Sequence, residues 1–117
     1  MKTQLTKEQS QHLIDLGVPK EKASLQVLFE EDGPFDIWNE DILSRPIFTL
    51  TDLLEILPKG IISEGLTANL CQTWHAGECY AFYTGECWVA EFKSKELIDA
   101  LYKLLCWVIE NNYLKTE

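Results

Sequence analysis

Residues 66–92, LTANLCQTWHAGECYAFYTGECWVAEF, decide the fold of this chain. Aromatic and β-favouring residues alternate along this stretch with small and polar ones, and turn residues at 75–78 and 85–86 interrupt the alternation. Such a pattern is typical of β-strands joined by hairpins. We therefore predict a three-stranded antiparallel meander in which Gly85 and Glu86 form a two-residue type II′ turn.

The two turns determine the register of the predicted strands. The predicted pairs are Trp74 with Cys79 and Leu70 with Tyr83 in the first hairpin, and Tyr83 with Trp88 and Ala81 with Ala90 in the second. Because side chains alternate between the two faces of a sheet, this register places a largely apolar set on one face. We predict that this is the core face, formed by Leu66, Ala68, Leu70, Trp74, Cys79, Ala81, Tyr83, Trp88, Ala90 and Phe92.

The region after the meander has the strongest helical periodicity in the chain. Apolar residues recur there at three- and four-residue spacing, while Asp99, Lys103 and Glu110 fall on the opposite side. Ser94 is placed to cap this helix. We predict that the helix packs across the core face with a stripe formed by Leu97, Ile98, Leu101, Leu104, Leu105, Val108 and Ile109.

Two capping boxes predict helices before the meander. Thr6 with Gln9 begins a helix over residues 7–16, and Thr49 with Asp52 begins a central helix that ends near Pro58. Between them we predict a short helical turn after a proline, an extended segment over 25–30 and a long ordered loop over 31–46. The predicted fold class is α+β: a three-stranded antiparallel meander packed by a C-terminal helix, with an N-terminal and a central helix.

Length and composition predict one domain spanning residues 1–117. With 46% hydrophobic residues, the chain can bury a core without disulfides or metals. Its apolar runs are far shorter than the roughly 18 residues of a membrane span, and its start lacks the apolar segment of a signal peptide. We therefore expect a cytoplasmic protein that does not enter membranes and keeps its four cysteines reduced.

The charge balance is strongly acidic. Ten Lys and Arg against 19 Asp and Glu give a formal net charge of −9, so we expect no direct nucleic-acid binding. Residues 30–41, here called the acidic block, contain six carboxylates and no Lys or Arg. The block is either a solvated loop or a recognition surface for a basic protein partner. The candidate partner-binding residues are Glu31, Asp32, Asp36, Trp38, Glu40 and Asp41.

Cys71, His75, Cys79 and Cys87 bring three thiols and an imidazole close together in the sequence. Their spacing does not match a known zinc pattern, and strand alternation places Cys79 on the core face but Cys71 and Cys87 on the other, roughly 9–10 Å apart. The chain has no phosphate-binding loop and no short catalytic signature. We therefore expect no metal, no cofactor and no catalytic residue. The alternative is a thiol- or metal-dependent enzyme that uses the Cys71/His75/Cys79 region.

The second face of the predicted meander carries Tyr80, Phe82 and Val89 among threonines and an asparagine. It is too apolar to be left bare, since contiguous exposed apolar patches usually mark interfaces. We expect the N-terminal half of the chain to cover it. The alternative is a contact surface for a partner or for a second copy in a homodimer.

Two segments, FTLTDLLEILPK at 48–59 and EFKSKELIDALYKLLCWVIENNYL at 91–114, carry a resemblance to known sequences. In these segments the chain resembles small uncharacterised proteins from prophages and other mobile elements of gut Bacteroidetes. The resemblance implies an architecture and a mobile-element setting. It supplies no functional residue, because no activity is established for that group.

Taken together, these features predict a non-enzymatic protein-interaction or accessory protein. The acidic block and Trp38 are the first place to seek a partner. A mobile-element setting implies interference with a host or rival system. In its sharpest form this is an acidic mimic of DNA that competes with DNA for a basic host protein.

Overall fold

A computed structural model describes residues 2–28, 44–86 and 88–113. The helices are α1 (Lys7–Asp15), a 3-10 turn (Lys20–Lys22), α2 (Leu50–Ile56) and α3 (Leu97–Glu110). The strands are β1 (Leu25–Leu28), β2 (Ser44–Ile47), β3 (Gly60–Ser63), β4 (Leu66–His75), β5 (Glu78–Gly85) and β6 (Trp88–Ser94). The class is α+β, as predicted. Within the described ranges, every helix is too short or too polar to cross a lipid bilayer.

Both predicted capping boxes form. The Thr6 hydroxyl accepts a hydrogen bond from the Gln9 amide while the Gln9 side chain accepts one from the Thr6 amide, so α1 begins at the predicted position. The same reciprocal pair joins Thr49 and Asp52 at the start of α2. Each box satisfies amide donors that a helix N-terminus otherwise leaves unpaired.

Strands β1 and β2 form a separate two-stranded antiparallel sheet. Leu25 pairs with Ile47 at one end of this sheet, and Leu28 pairs with Ser44 at the other. The predicted extended segment is thus confirmed over 25–28, whereas the prediction of a loop through Pro46 was wrong for Ser44–Pro46. A proline is compatible with this position because each strand of a two-stranded sheet has a free edge, where the missing amide hydrogen is not needed.

The main sheet is a four-stranded antiparallel meander in the order β3-β4-β5-β6, and not the predicted three-stranded one. The prediction omitted strand β3, which follows Pro58 and begins at Gly60. In the sequence, this proline and this glycine indicate only that α2 ends there. Ile61 on β3 is buried and pairs with Ala68. Glu64 and Gly65, with φ of 53° and 82°, turn the chain from β3 into β4. Two successive positive φ angles are the mark of a tight hairpin turn whose twist matches its strands.

The predicted register is correct in the first hairpin and wrong in the second. Leu70 pairs with Tyr83 and Trp74 with Cys79, as expected. In the second hairpin, however, Trp88 lies opposite Thr84, and Ala90 lies opposite Tyr83. The ladder has an irregularity between Tyr83 and Thr84, where the register shifts.

The reason for the shift is that the chain stays beside β4 through Glu86 instead of reversing at Gly85. The Glu86 amide donates to the Thr67 carbonyl at 3.0 Å, and the Thr67 hydroxyl donates to the Glu86 carboxylate at 2.6 Å. Gly85 lies so close to β4 that a Cβ there would be 2.9 Å from the Thr67 carbonyl oxygen. Thr84 therefore pairs with Trp88, and the connection between these paired residues is one residue longer than the predicted two-residue turn.

Helix α3 packs on β5 and β6, on the predicted core face. The stripe is confirmed: five of its seven residues are buried, and Leu97 and Ile109 are partly buried against the core. Small residues on the sheet, Ala81 and Ala90, meet this apolar helix. The N-cap of α3 is Glu96 and not Ser94, which ends β6; the Ser94 hydroxyl accepts from the Glu96 amide at a long 3.5 Å.

Asp52 is a buried carboxylate that joins three segments. One of its oxygens accepts from the Ser24 amide at 2.8 Å, the Ser24 hydroxyl at 2.9 Å and the Thr49 amide at 2.9 Å. Burial raises the pKa of Asp52, but these hydrogen bonds more than offset it and hold the pKa below its usual value. The carboxylate therefore fixes the chain before β1 to the start of α2.

The N-terminal segment is tied to the last helix. The ammonium group of Lys2 lies 2.7 Å from the Asp99 carboxylate, and the Lys2 amide donates to the Glu96 carboxylate at 2.9 Å. Gln9 on α1 also donates to Asp99, at 3.1 Å. The pKa of Asp99 is raised by partial burial, yet the hydrogen bonds from Lys2 and Gln9 and the nearby positive charges bring it below its usual value.

Candidate protein-interaction surface

The side of the main sheet that faces away from the core is lined by side chains of which none is buried. Residues paired across the strands share this face, because opposite partners in an antiparallel ladder point the same way. We call this surface the open face. It consists of Ile62, Thr67, Asn69, Cys71, Thr73, His75, Glu78, Tyr80, Phe82, Thr84, Trp88, Glu91 and Lys93.

The centre of the open face is a stacked pair of aromatic rings. The rings of Phe82 and Trp88 have centroids 5.2 Å apart and planes 17° from parallel. The register shift produces this pair, because it moves Trp88 from the predicted place opposite Tyr83 to the other side of the sheet, opposite Thr84. The prediction that Trp88 lies in the core was therefore wrong. One side of the indole is covered by Phe82, and the residue remains 59% exposed.

The N-terminal half of the chain was expected to cover this face, and at two positions it does not. Ile62, which the prediction placed outside the sheet, is 67% exposed, and Trp88 is nearly as accessible. Val89, which was expected on the open face, instead packs against the hydrophobic core next to the register shift. The apolar part of the open face is therefore formed by Ile62, Tyr80, Phe82 and Trp88.

Glu91 lies beside the aromatic pair, directly opposite Phe82 in the ladder. Within the described part of the chain, its carboxylate has neither a hydrogen-bond donor nor a cation as partner, and the residue is exposed. The one Lys of the open face, Lys93, is 3.6 Å from Glu78. The stacked aromatic pair thus lies beside the unpaired negative charge of Glu91, while the positive charge of Lys93 is already paired with Glu78.

A second exposed tryptophan lies at the far end of the sheet. Trp74 occupies the core-face side of β4, opposite Cys79 as predicted, but it is 69% exposed and not part of the core. The tip of the β4–β5 hairpin, at Ala76 and Gly77, is exposed as well. Leu66, at the opposite end of β4, was also predicted on the core face and is 39% exposed.

The structure separates the thiols and the imidazole that form the enzyme alternative. Cys71 and His75 are on the open-face side of β4, whereas Cys79 is on the core-face side of β5. Cys79 pairs with Trp74, three residues along from Cys71, which is about 10 Å of strand. Among the described residues, no three His, Cys, Asp or Glu side chains lie close enough together to hold a metal. Cys87 lies outside the described residues.

A further thiol, which was not among the predicted candidates, lies in α3. Burial raises the pKa of Cys106 to about 11, although the hydrogen bond with Tyr102 works in the opposite direction. Burial and the neighbouring thiol raise the pKa of Tyr102 to about 12, and the His12 ring meets the Tyr102 ring edge-on at 6.2 Å. A thiol with so high a pKa is almost entirely protonated near neutral pH and is a poor nucleophile. The i, i+4 spacing of Tyr102 and Cys106 is the sequence signal for this contact.

The acidic block lies outside the described residues. The candidate partner-binding residues Glu31, Asp32, Asp36, Trp38, Glu40 and Asp41 therefore remain predictions from the sequence. The open face could have been found more fully from the sequence, because Glu91 follows from strand alternation. Ile62 and Trp88 could not, because one depends on an unrecognised strand and the other on the register shift.

Comparison of the chain with models of known protein families, with curated proteins and with solved structures gave no match.

Proposed function

We propose that this chain is a non-enzymatic protein-interaction domain, an accessory protein whose partner has a basic surface. The observation that carries the proposal is the open face, where Trp88 is exposed beside the half-buried Phe82 and Ile62 is exposed on the edge strand β3. Exposed aromatic residues gathered on one face are typical of protein interfaces. Because the chain has a formal net charge of −9, a basic protein is the partner that long-range attraction favours.

The acidic block gives the proposal a second element. Its six carboxylates without a basic residue would speed the encounter with a basic partner, while aromatic contacts would hold it. A mobile-element setting would make that partner a host or rival protein. If the partner is a DNA-binding protein, the chain should compete with DNA for it.

Affinity purification tests the proposal, with the full chain carrying a C-terminal tag so that the Lys2 contacts are preserved. We expect the chain to retain a basic protein from lysate of its source organism at about 0.1 M salt and to release it near 1 M salt, because salt screens charge attraction. The proposal is overturned if no protein is enriched over a tag-only control, or if the enriched proteins are not basic.

Matched charge variants separate a specific acidic surface from net charge alone. One triple variant carries Glu31→Gln, Asp32→Asn and Asp36→Asn, and the control carries Glu8→Gln, Glu21→Gln and Glu55→Gln at exposed positions of equal total charge. If the acidic block takes part in recognition, only the first variant loses the partner at 0.1 M salt. Equal retention by both variants would show that the block serves solvation only.

A further inference from the structure

The stacked pair of Phe82 and Trp88 lies next to the unpaired carboxylate of Glu91 on the open face. One side of the indole is covered by Phe82, and the residue as a whole is still 59% exposed. Glu91 is the cross-strand neighbour of Phe82, and such neighbours have Cβ atoms about 4.5–5.5 Å apart. A π-face and a carboxylate therefore lie side by side on one rigid sheet.

We infer that the open face binds an arginine side chain of the basic partner, with the guanidinium stacked on Trp88 and paired with Glu91. This inference rests on the proposed function and adds the site and the recognised group. Arginine fits better than lysine because its planar guanidinium can stack on an indole and donate to a carboxylate at the same time. The ammonium group of lysine is more strongly hydrated and offers no planar surface.

The charges of the chain favour this occupant over a second copy of the chain. In a face-to-face dimer, each copy would bring its unpaired Glu91, and the two chains carry a formal charge of −9 each. Like charges opposed in an interface are unfavourable. The acidic block cannot supply the missing cation either, because it contains no Lys or Arg.

The test uses the full chain, labelled with ¹⁵N, and three short peptides of the same sequence except at two positions. Both positions are arginine in the first peptide, lysine in the second and citrulline in the third. Citrulline has nearly the shape of arginine but no charge. At about 50 mM salt we expect the arginine peptide to shift amide signals of β5 and β6 around Phe82, Trp88 and Glu91. We expect it to bind several-fold more tightly than the lysine peptide and more than tenfold more tightly than the citrulline peptide. Equal binding of the three peptides, or shifts centred elsewhere, would overturn the inference.

Variants with matched controls test the named residues. Trp88→Ala and Glu91→Gln should each lower the affinity for the arginine peptide by about three- to thirtyfold. This is the range expected when a cation–π contact, or a surface ion pair strengthened by stacking, is lost. Trp74→Ala and Glu55→Gln remove an equally exposed indole and carboxylate elsewhere and should change binding less than twofold. The inference fails if the control pair weakens binding as much as the site pair. Far-UV circular dichroism and the unfolding midpoint of each variant show that it is folded.

The same variants keep this inference distinct from the proposed function. If the wild-type chain captures a basic protein and Trp88→Ala and Glu91→Gln capture it equally well, the interaction function holds and the arginine site is wrong. If the arginine peptide binds at the site but the lysate yields no basic protein, the arginine site is correct and the proposed function is wrong. Self-association of the wild-type chain that Trp88→Ala abolishes would assign the open face to a second copy and overturn the inference.

Discussion

The Tyr83 hydroxyl donates a 2.6 Å hydrogen bond to the Pro58 carbonyl oxygen. Tyr83 is buried on β5, and Pro58 lies in the segment between α2 and β3, so this bond ties the sheet to the end of the central helix. Burial raises the pKa of Tyr83 far above its usual value, which keeps the hydroxyl protonated and able to donate near neutral pH.

Tyr83→Phe should lower the free energy of unfolding by about 1–3 kcal/mol, because the Pro58 carbonyl would lose a buried hydrogen-bond donor. Tyr80→Phe is the matched control, since Tyr80 is on the same strand and its hydroxyl makes no hydrogen bond to any described residue. Urea unfolding at neutral pH measures both. A loss in Tyr80→Phe equal to that in Tyr83→Phe would contradict the assigned role of the bond.

Asp52→Asn should lower the free energy of unfolding at pH 7 by about 1–3 kcal/mol, because hydrogen bonds to a charged acceptor become weaker neutral ones. The folded-state pKa of Asp52 lies below its ordinary value. Its contribution is therefore fully present above about pH 4, the unfolded pKa, and is lost as the pH falls through the folded pKa.

The measurement for Asp52 is urea unfolding of the wild type and the variant from pH 7 to pH 2. The difference between them should be constant down to about pH 4 and then shrink. Glu55→Gln, on the exposed side of the same helix, should leave the unfolding free energy within about 0.5 kcal/mol at pH 7. A difference for Asp52→Asn that grows as the pH falls would mean that the folded state raises the pKa of this carboxyl instead of lowering it.

Leu104→Ala should lower the free energy of unfolding, measured in urea, by about 2–5 kcal/mol. Leu104 is a fully buried residue of α3, and its truncation leaves a cavity in the core. Ile62→Ala removes a side chain of equal size from the open face and should cost less than about 1 kcal/mol. The pair distinguishes the core face from the open face by thermodynamics. A cost for Ile62→Ala close to that of Leu104→Ala would mean that the open face is covered in solution.

Ala76→Asn should raise the free energy of unfolding by about 0.5–1 kcal/mol. Ala76 is in the turn between β4 and β5 with φ of 52°, where a side chain with a Cβ is strained and asparagine is better tolerated. The chain itself has an asparagine at a left-handed position, Asn112, with φ of 62°. Thermal unfolding followed by circular dichroism gives the change, and an unchanged or lower midpoint would show that the turn is not strained.

The features that the sequence predicted well are those set by residues close together in the chain. Thr6 with Gln9 and Thr49 with Asp52 determine their helix starts within four residues. Ala76 and Gly77 determine the register of β4 with β5, because a two-residue turn allows one pairing. The stripe of α3 is likewise a local pattern of apolar side chains.

The features that the sequence did not predict depend on contacts between distant residues. The longer reversal between Thr84 and Trp88 accompanies the contact of Glu86 with Thr67, 19 residues away, and no local pattern at Gly85 and Glu86 reveals it. The exposure of Trp74 depends on where the helical layer ends above the sheet, which strand alternation does not show. The candidate site was therefore found only in part, because the position of Trp88 depends on that reversal.

The attachment of Lys2 to Asp99, 97 residues later, has a consequence for the order in which the protein can fold during translation. Helix α3 is made last among the described elements, yet it supplies six fully buried residues of the core and contacts the N-terminal segment. On the ribosome, the β4–β5 hairpin can pair as soon as it emerges. The apolar core face of the sheet, however, stays exposed until α3 has been synthesised. Nascent chains that stop before residue 97 should therefore depend on chaperones, and native packing should appear only after α3 has emerged.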